Sequence, residues 1–128
     1  MIMHYRCIDH KRRKIDIEIN DDHGNIIAYH QGKKVSNFDY YKTEGIKEWD
    51  EPTYELWGMN VDTKYQKNGI GTENIKSGEA CFKYVTYPHD TGSHGGNHLS
   101  SEGKALIDSC LRKGIIDSKN YYNDDSDL

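Results

Sequence analysis

The spacing of apolar and polar residues changes period along the chain. Ile15, Ile17 and Ile19 alternate with Asp16, Glu18 and Asn20. A period of two buries one face of a strand and leaves the other in water. A strand over about Ile2 to Ile8 is predicted before it, with a turn at Asp9 to Lys14. Asp21-Asp22-His23-Gly24-Asn25 tolerates the dihedrals of a tight reversal, so Ile26 to Gln31 is predicted as the returning strand. Gly32-Lys33-Lys34 is a further turn, and Val35 to Tyr41 a short fourth strand. Thr43 to Pro52 is polar and irregular, a loop or a short helix.

Tyr54 to Val61 is the next predicted strand, followed by a polar turn from Asp62 to Gly69 and a helix from Ile70. Glycine inside a helix costs about 1 kcal/mol relative to alanine. The helix therefore either ends at Gly78 or carries it as far as Cys81. Phe82 to Tyr87 is strand-like in its β-branched and aromatic content, and Pro88 stops it. His89 to His98 is a glycine-rich loop. Ser100 is an N-cap candidate for a last helix, on which Leu106, Ile107, Cys110 and Leu111 share a face. Gly114 ends that helix, and Ile115-Ile116 begins a final short strand. The order is antiparallel strands, then strand–turn–helix–strand–helix: an α+β fold with a mixed sheet.

Composition sharpens this picture. The 128 residues fit one domain, 1–128, with a flexible acidic tail from about residue 119. Apolar residues are only 34% of the chain, so the ten tyrosines and two tryptophans must help to fill a small core. The net charge of -4 argues against nucleic acid as the main partner. Cys7, Cys81 and Cys110 match no zinc or disulfide spacing. No apolar run resembles a signal peptide or a membrane span. A cytoplasmic protein is the expectation.

The chemistry-bearing segment is Leu56 to Thr72, LWGMNVDTKYQKNGIGT. A strand feeds a turn just where a helix begins, and the first turn of a helix has unpaired N–H donors and a partial positive charge. Phosphate oxygens are natural occupants of such a place. Gly69 and Gly71 would let the main chain approach them closely. Val61, Gln66, Gly69 and Gly71 fit the Q/R-x-x-G-x-G/A signature, and the segment resembles the GNAT superfamily of acyl-coenzyme A N-acyltransferases. The resemblance is carried by about Tyr54 to Ile75 and reaches Gly114.

The resemblance implies acetyl-CoA as co-substrate and a primary amine, small or on a protein, as acceptor. Attack would be direct, with both substrates bound together. It implies cofactor contacts from Met59, Asn60 and Val61: backbone groups near Met59 and Val61 would meet the pantetheine arm, and a strand N–H near Met59 or Asn60 could stabilise the oxyanion. Gln66 and Lys67 would frame the entrance, and the N–H groups of Lys67, Asn68, Gly69, Ile70, Gly71 and Thr72 would hold the pyrophosphate. Glu55 stands where a catalytic Glu stands in one branch of the family and is the candidate base. An ordinary solvent-facing Glu is the other reading. The position usually held by a proton-donating Tyr is Cys110, so the acid is open between Cys110, Tyr84 or Tyr87 and no dedicated group. Gly103 stands where Asn is common. The family's two helices between its first strands have no room here, which leaves the acceptor site open. A homodimer is compatible with the chain. The alternative is a GNAT-fold module that binds coenzyme A, or nothing, and works through a protein partner.

Two further constellations carry less. His89, Asp90, His94 and His98 crowd one loop without the spacing of a standard metal site, so no metal is expected. Lys11-Arg12-Arg13-Lys14 is a solvated hairpin tip in preference to a nucleic-acid contact.

Overall fold

A computed structural model of the chain describes residues 1–43, 53–82, 85–87 and 101–116. Six strands form one sheet: β1 (Ile2–Ile8), β2 (Lys14–Asn20), β3 (Asn25–His30), β4 (Lys33–Thr43), β5 (Thr53–Val61) and β6 (Val85–Thr86). They lie in sequence order. Every neighbouring pair is antiparallel except β5 and β6, which are parallel. Two α-helices, α1 (Ile70–Cys81) and α2 (Ser101–Arg112), and a single 3-10 turn, Thr63–Tyr65, complete the elements of the described residues. The fold is α+β with a mixed sheet. No helix among the described residues is long and apolar enough to cross a membrane.

The alternation seen in β2 fixes which face is buried. Ile15, Ile17 and Ile19 are all 3% exposed or less. Register then carries a single apolar row across four strands, Ile19 to Ile26 to Phe38 to Met59. Ile70 and Ile75 of α1 and Ile107 and Cys110 of α2 join the same core. The opposite face carries Asp16, Glu18, Asp39, Tyr41, Glu55 and Trp57, none of them buried.

β5 changes face halfway along. Tyr40 pairs with Leu56 but Asp39 pairs with Gly58, so Trp57 is an extra residue. A bulge of this kind inverts the alternation. Before it, Tyr54 and Leu56 point into the core; after it, Met59 and Val61 take the rows of Phe38 and Ser36. A continuous strand would have placed Gly58 and Asn60 there instead.

Helix α1 runs through Gly78 to Cys81. A Cβ at residue 78 would lie 2.5 Å from the Tyr40 hydroxyl oxygen and 3.1 Å from its Cζ. The glycine is a packing requirement, and its propensity cost is offset by the buried Tyr40 ring, which meets Phe82 edge-on at 5.0 Å.

Some predicted elements are corrected. Ile115 and Ile116 form no strand. Their N–H groups both donate to the Cys110 carbonyl, at 2.9 and 3.3 Å, while Gly114 N–H donates to Leu111 O. With Gly114 at φ 76°, this is the six-to-one and five-to-two pattern that closes a helix C-terminus. The strand predicted over Phe82 to Tyr87 is Val85–Thr86 in the described residues, with Phe82 as the C-cap of α1. β4 is longer than predicted at both ends. The region 44–52, Tyr84, the histidine loop, Ser100 and the acidic tail lie outside the described residues.

Candidate functional site

A cavity of about 560 Å³ opens where the C-terminal half of β5, the turn after it and the first turn of α1 face α2. Met59, Asn60, Val61, Gln66, Lys67, Gly69, Gly71 and Thr72 all line it. These are eight of the ten residues expected to touch a cofactor. Asn68 and Ile70 do not line it; both are buried and face a smaller cleft of about 170 Å³ beside the β1–β2 turn.

The bulge at Trp57 prepares one wall, since it turns Met59 and Val61 toward the cavity. Ladder alternation prepares the strand edge. Asp62 N–H donates to Val35 O at 2.9 Å. Val61 pairs with Ser36, so Asp62 stands opposite Val35, and alternate residues of an antiparallel strand point their amides to opposite sides. The N–H groups of Met59 and Val61 therefore point away from β4. Among the described residues no strand pairs with β5 on that side there: β6 pairs only at Tyr54 and Glu55. The Val61 carbonyl accepts from Gln66 Nε2 at 2.9 Å. Gln66 thus spends its amide on folding the turn back onto the strand.

The other wall is the start of α1. Its N-cap is Gly69, with φ 92° and ψ -4°, and no side chain caps the helix. The first intrahelical bond is Glu73 N–H to Gly69 O at 3.0 Å. The amides of Ile70, Gly71 and Thr72 precede it and have no acceptor within the helix. Lys67, the one charged side chain among the described lining residues, stands at the same end. Phe38, Met59, Val61, Leu106 and Ala105 give the remainder an apolar surface. Donors at one end and an apolar wall along the rest suit an elongated ligand with an anionic group.

The two glycines have packing reasons that the sequence does not reveal. A Cβ at residue 69 would lie 2.7 Å from His10 Nε2, and one at residue 71 would lie 2.8 Å from Leu106 Cδ2. Gly69 lets the β1–β2 turn sit on the helix start, and Gly71 lets α2 approach α1.

The described catalytic candidates do not line the cavity. Glu55 is half-buried on the opposite sheet face, in register with Tyr41 and Thr86, and does not line the cavity. Cys110 is 0% exposed and packs in the core. Burial pushes its thiol pKa up, against a hydrogen bond with Thr72 that pulls it down. Tyr84 lies outside the described residues. Tyr87 is fully buried with its hydroxyl donating to Glu79, and burial raises its pKa strongly.

Sequence reasoning missed Phe38, Tyr65, Ala105 and Leu106 as lining residues. Phe38 was legible as an inward position of β4; the α2 residues were legible only as a helix face. Gly103, singled out as a departure from the family's Asn, lines the cavity. Arg13 was also missed, as part of a solvated tip. Lys11, Arg12 and Lys14 are exposed, but the Arg13 guanidinium lies 4.0 Å from the Tyr65 ring centroid. Among the described residues no cluster of three or more His, Cys, Asp or Glu is placed to hold a metal ion. No family model matches the chain, and no curated protein or solved structure matches it.

Proposed function

We propose that this chain is a GNAT-like domain that binds acetyl-CoA in the 560 Å³ cavity and transfers its acetyl group to a primary amine. The observation that carries the reading is that one cavity joins the outward amides of Met59 and Val61 to the uncapped start of α1. In this reading the strand amides pair with the pantetheine arm, the amides of Gly71 and Thr72 and the Lys67 ammonium hold the pyrophosphate, and Phe38 and Leu106 cover the apolar portion. Among the described residues the parallel β5–β6 pair lies only at the start of β5, which leaves the strand edge beyond it open to that arm.

The bound thioester supplies an activated acyl carbon. An amine with a pKa of about 10.4 arrives protonated and must lose a proton before it attacks. Glu55 takes that proton through water from the open sheet face. The Met59 N–H stabilises the oxyanion as the carbonyl becomes tetrahedral. The nitrogen gives its second proton to solvent, the C–S bond breaks and the thiolate leaves, taking a proton from solvent. Cys110 is not assigned that task, because its thiol is fully buried and does not line the cavity. The absence of any helix between β1 and β2, which are joined by a tight turn, suits an acceptor carried on a protein.

A non-catalytic coenzyme A-binding module is the second reading. It is favoured by the absence of Glu55 and Cys110 from the cavity lining. Incubation with acetyl-CoA and a panel of amines and proteins, following free thiol, separates the two. The enzyme reading predicts turnover that falls in Glu55→Gln with acetyl-CoA affinity unchanged. Affinity without turnover in the wild type selects the module.

A further inference from the structure

The turn that opens the cavity is held in an uncomfortable conformation. Lys67, which is not a glycine, has φ 63°, and Gly69 follows at φ 92°. A left-handed lysine persists only where its surroundings over-determine it. The β1–β2 turn supplies those surroundings. His10 N–H donates to Asn68 O at 2.8 Å, and the His10 ring sits over Gly69. Arg13 reaches the segment from the other side. Its Nη1 donates to Lys64 O at 3.4 Å and its guanidinium covers the Tyr65 ring. Tyr65 lines the cavity, and its hydroxyl lies 2.6 Å from His30 Nδ1.

Arg13 is itself fixed. Its Nε donates to Asp9 Oδ2 at 2.7 Å, and the Asp9 side chain is 1% exposed. Asp9 Oδ1 accepts from the N–H groups of Lys11 and Arg13, at 3.0 and 2.8 Å. These bonds, foremost those from Arg13, hold the carboxyl below its ordinary pKa despite burial. We infer that Arg13, clamped by Asp9, is a positioning residue for the ligand turn. It holds Asp62 to Gly69 so that the first amides of α1 face the cavity. A lysine cannot replace it. One ammonium cannot pair with Asp9, cover the Tyr65 ring and reach Lys64 O together, whereas a planar guanidinium offers separate donors and a face.

This inference rests on the acetyl-CoA reading for its functional meaning, and its test keeps the two apart. Amide hydrogen exchange in the free protein and acetyl-CoA affinity by calorimetry are measured for wild type, Arg13→Ala, Arg13→Lys and Lys11→Ala. The Tyr65 and Gln66 amides, bonded to Asp62 O and Thr63 O, report the turn; Ile17 and Ile26 report the core. Both Arg13 variants are expected to speed exchange at Tyr65 and Gln66 with Ile17 and Ile26 unchanged. Acetyl-CoA affinity should fall about tenfold as the competent turn becomes a minor population. Lys11→Ala, exposed on the same turn, should leave both readouts unmoved. Arg13→Lys keeps charge and length, so it serves if Arg13→Ala does not fold. Unchanged turn exchange in a folded Arg13→Lys overturns the inference. Faster turn exchange with no acetyl-CoA affinity even in the wild type upholds the positioning role and rejects the ligand.

Discussion

Replacing Gly69 by alanine probes the turn at its most constrained point. The residue sits at φ 92° and ψ -4°, where an L side chain costs roughly 1–2 kcal/mol. The new Cβ would also lie 2.7 Å from His10 Nε2 and 3.0 Å from Cδ2. The His10 main chain is held by its bond to Asn68 O, so relief must come from the ring swinging out, which opens the contact on the helix start. Together these put the loss at about 2–3 kcal/mol, within the range of strained single substitutions. At roughly 4 °C per kcal/mol for a domain of this size, Tm should fall by about 8–12 °C. Urea unfolding of Gly69→Ala, His10→Gly and the double variant resolves the two parts. The double variant should recover the contact portion and leave the dihedral portion, so part of the loss remains. Full recovery would mean the dihedral costs nothing, and a neutral Gly69→Ala would refute the reasoning altogether.

Three further outcomes follow from the same geometry. The Tyr40 hydroxyl is buried without a partner among the described residues, so Tyr40→Phe should be neutral or stabilising in urea unfolding; it should also recover most of the loss of about 1–3 kcal/mol that overpacking imposes in Gly78→Ala. The Asp9 pKa is lowered in the folded state, so its contribution is complete above the unfolded value of about 3.9 and is lost as pH falls through the lower folded value; Asp9→Asn should be less stable at neutral pH and show a shallower acid limb between pH 5 and 2. Cys110, fully buried, should react with a thiol reagent far more slowly than the half-buried Cys7 and Cys81, as mass spectrometry of the native protein would show.

How much of this was legible in the residues depended on the range of the cause. The isoleucines of β2 declare their face because alternation is local. Gln66, Gly69 and Gly71 declare a turn at a helix start because their chemistry is local too. The bulge at Trp57 is silent: one extra residue inverts the alternation of β5 without any change in composition, and it decides that Met59 and Val61 face the cavity. Ile115 and Ile116 look like a strand by β-branching, yet their amides close the end of α2. Gly78 looks like a helix breaker and is a seat for Tyr40. Arg13 looks solvated within its basic run. Its role depends on Tyr65 and Lys64, over fifty residues away, which sequence spacing cannot express.

The central claim is that Met59, Val61 and the first amides of α1 together hold acetyl-CoA. An amide-resolved NMR titration of the wild-type protein with acetyl-CoA tests it most directly. Saturable shifts are expected at Met59, Val61, Gly71 and Thr72, with the β1–β2 edge at Met3 and Ile19 unmoved. Titration to millimolar acetyl-CoA with no shift at those four amides would overturn it.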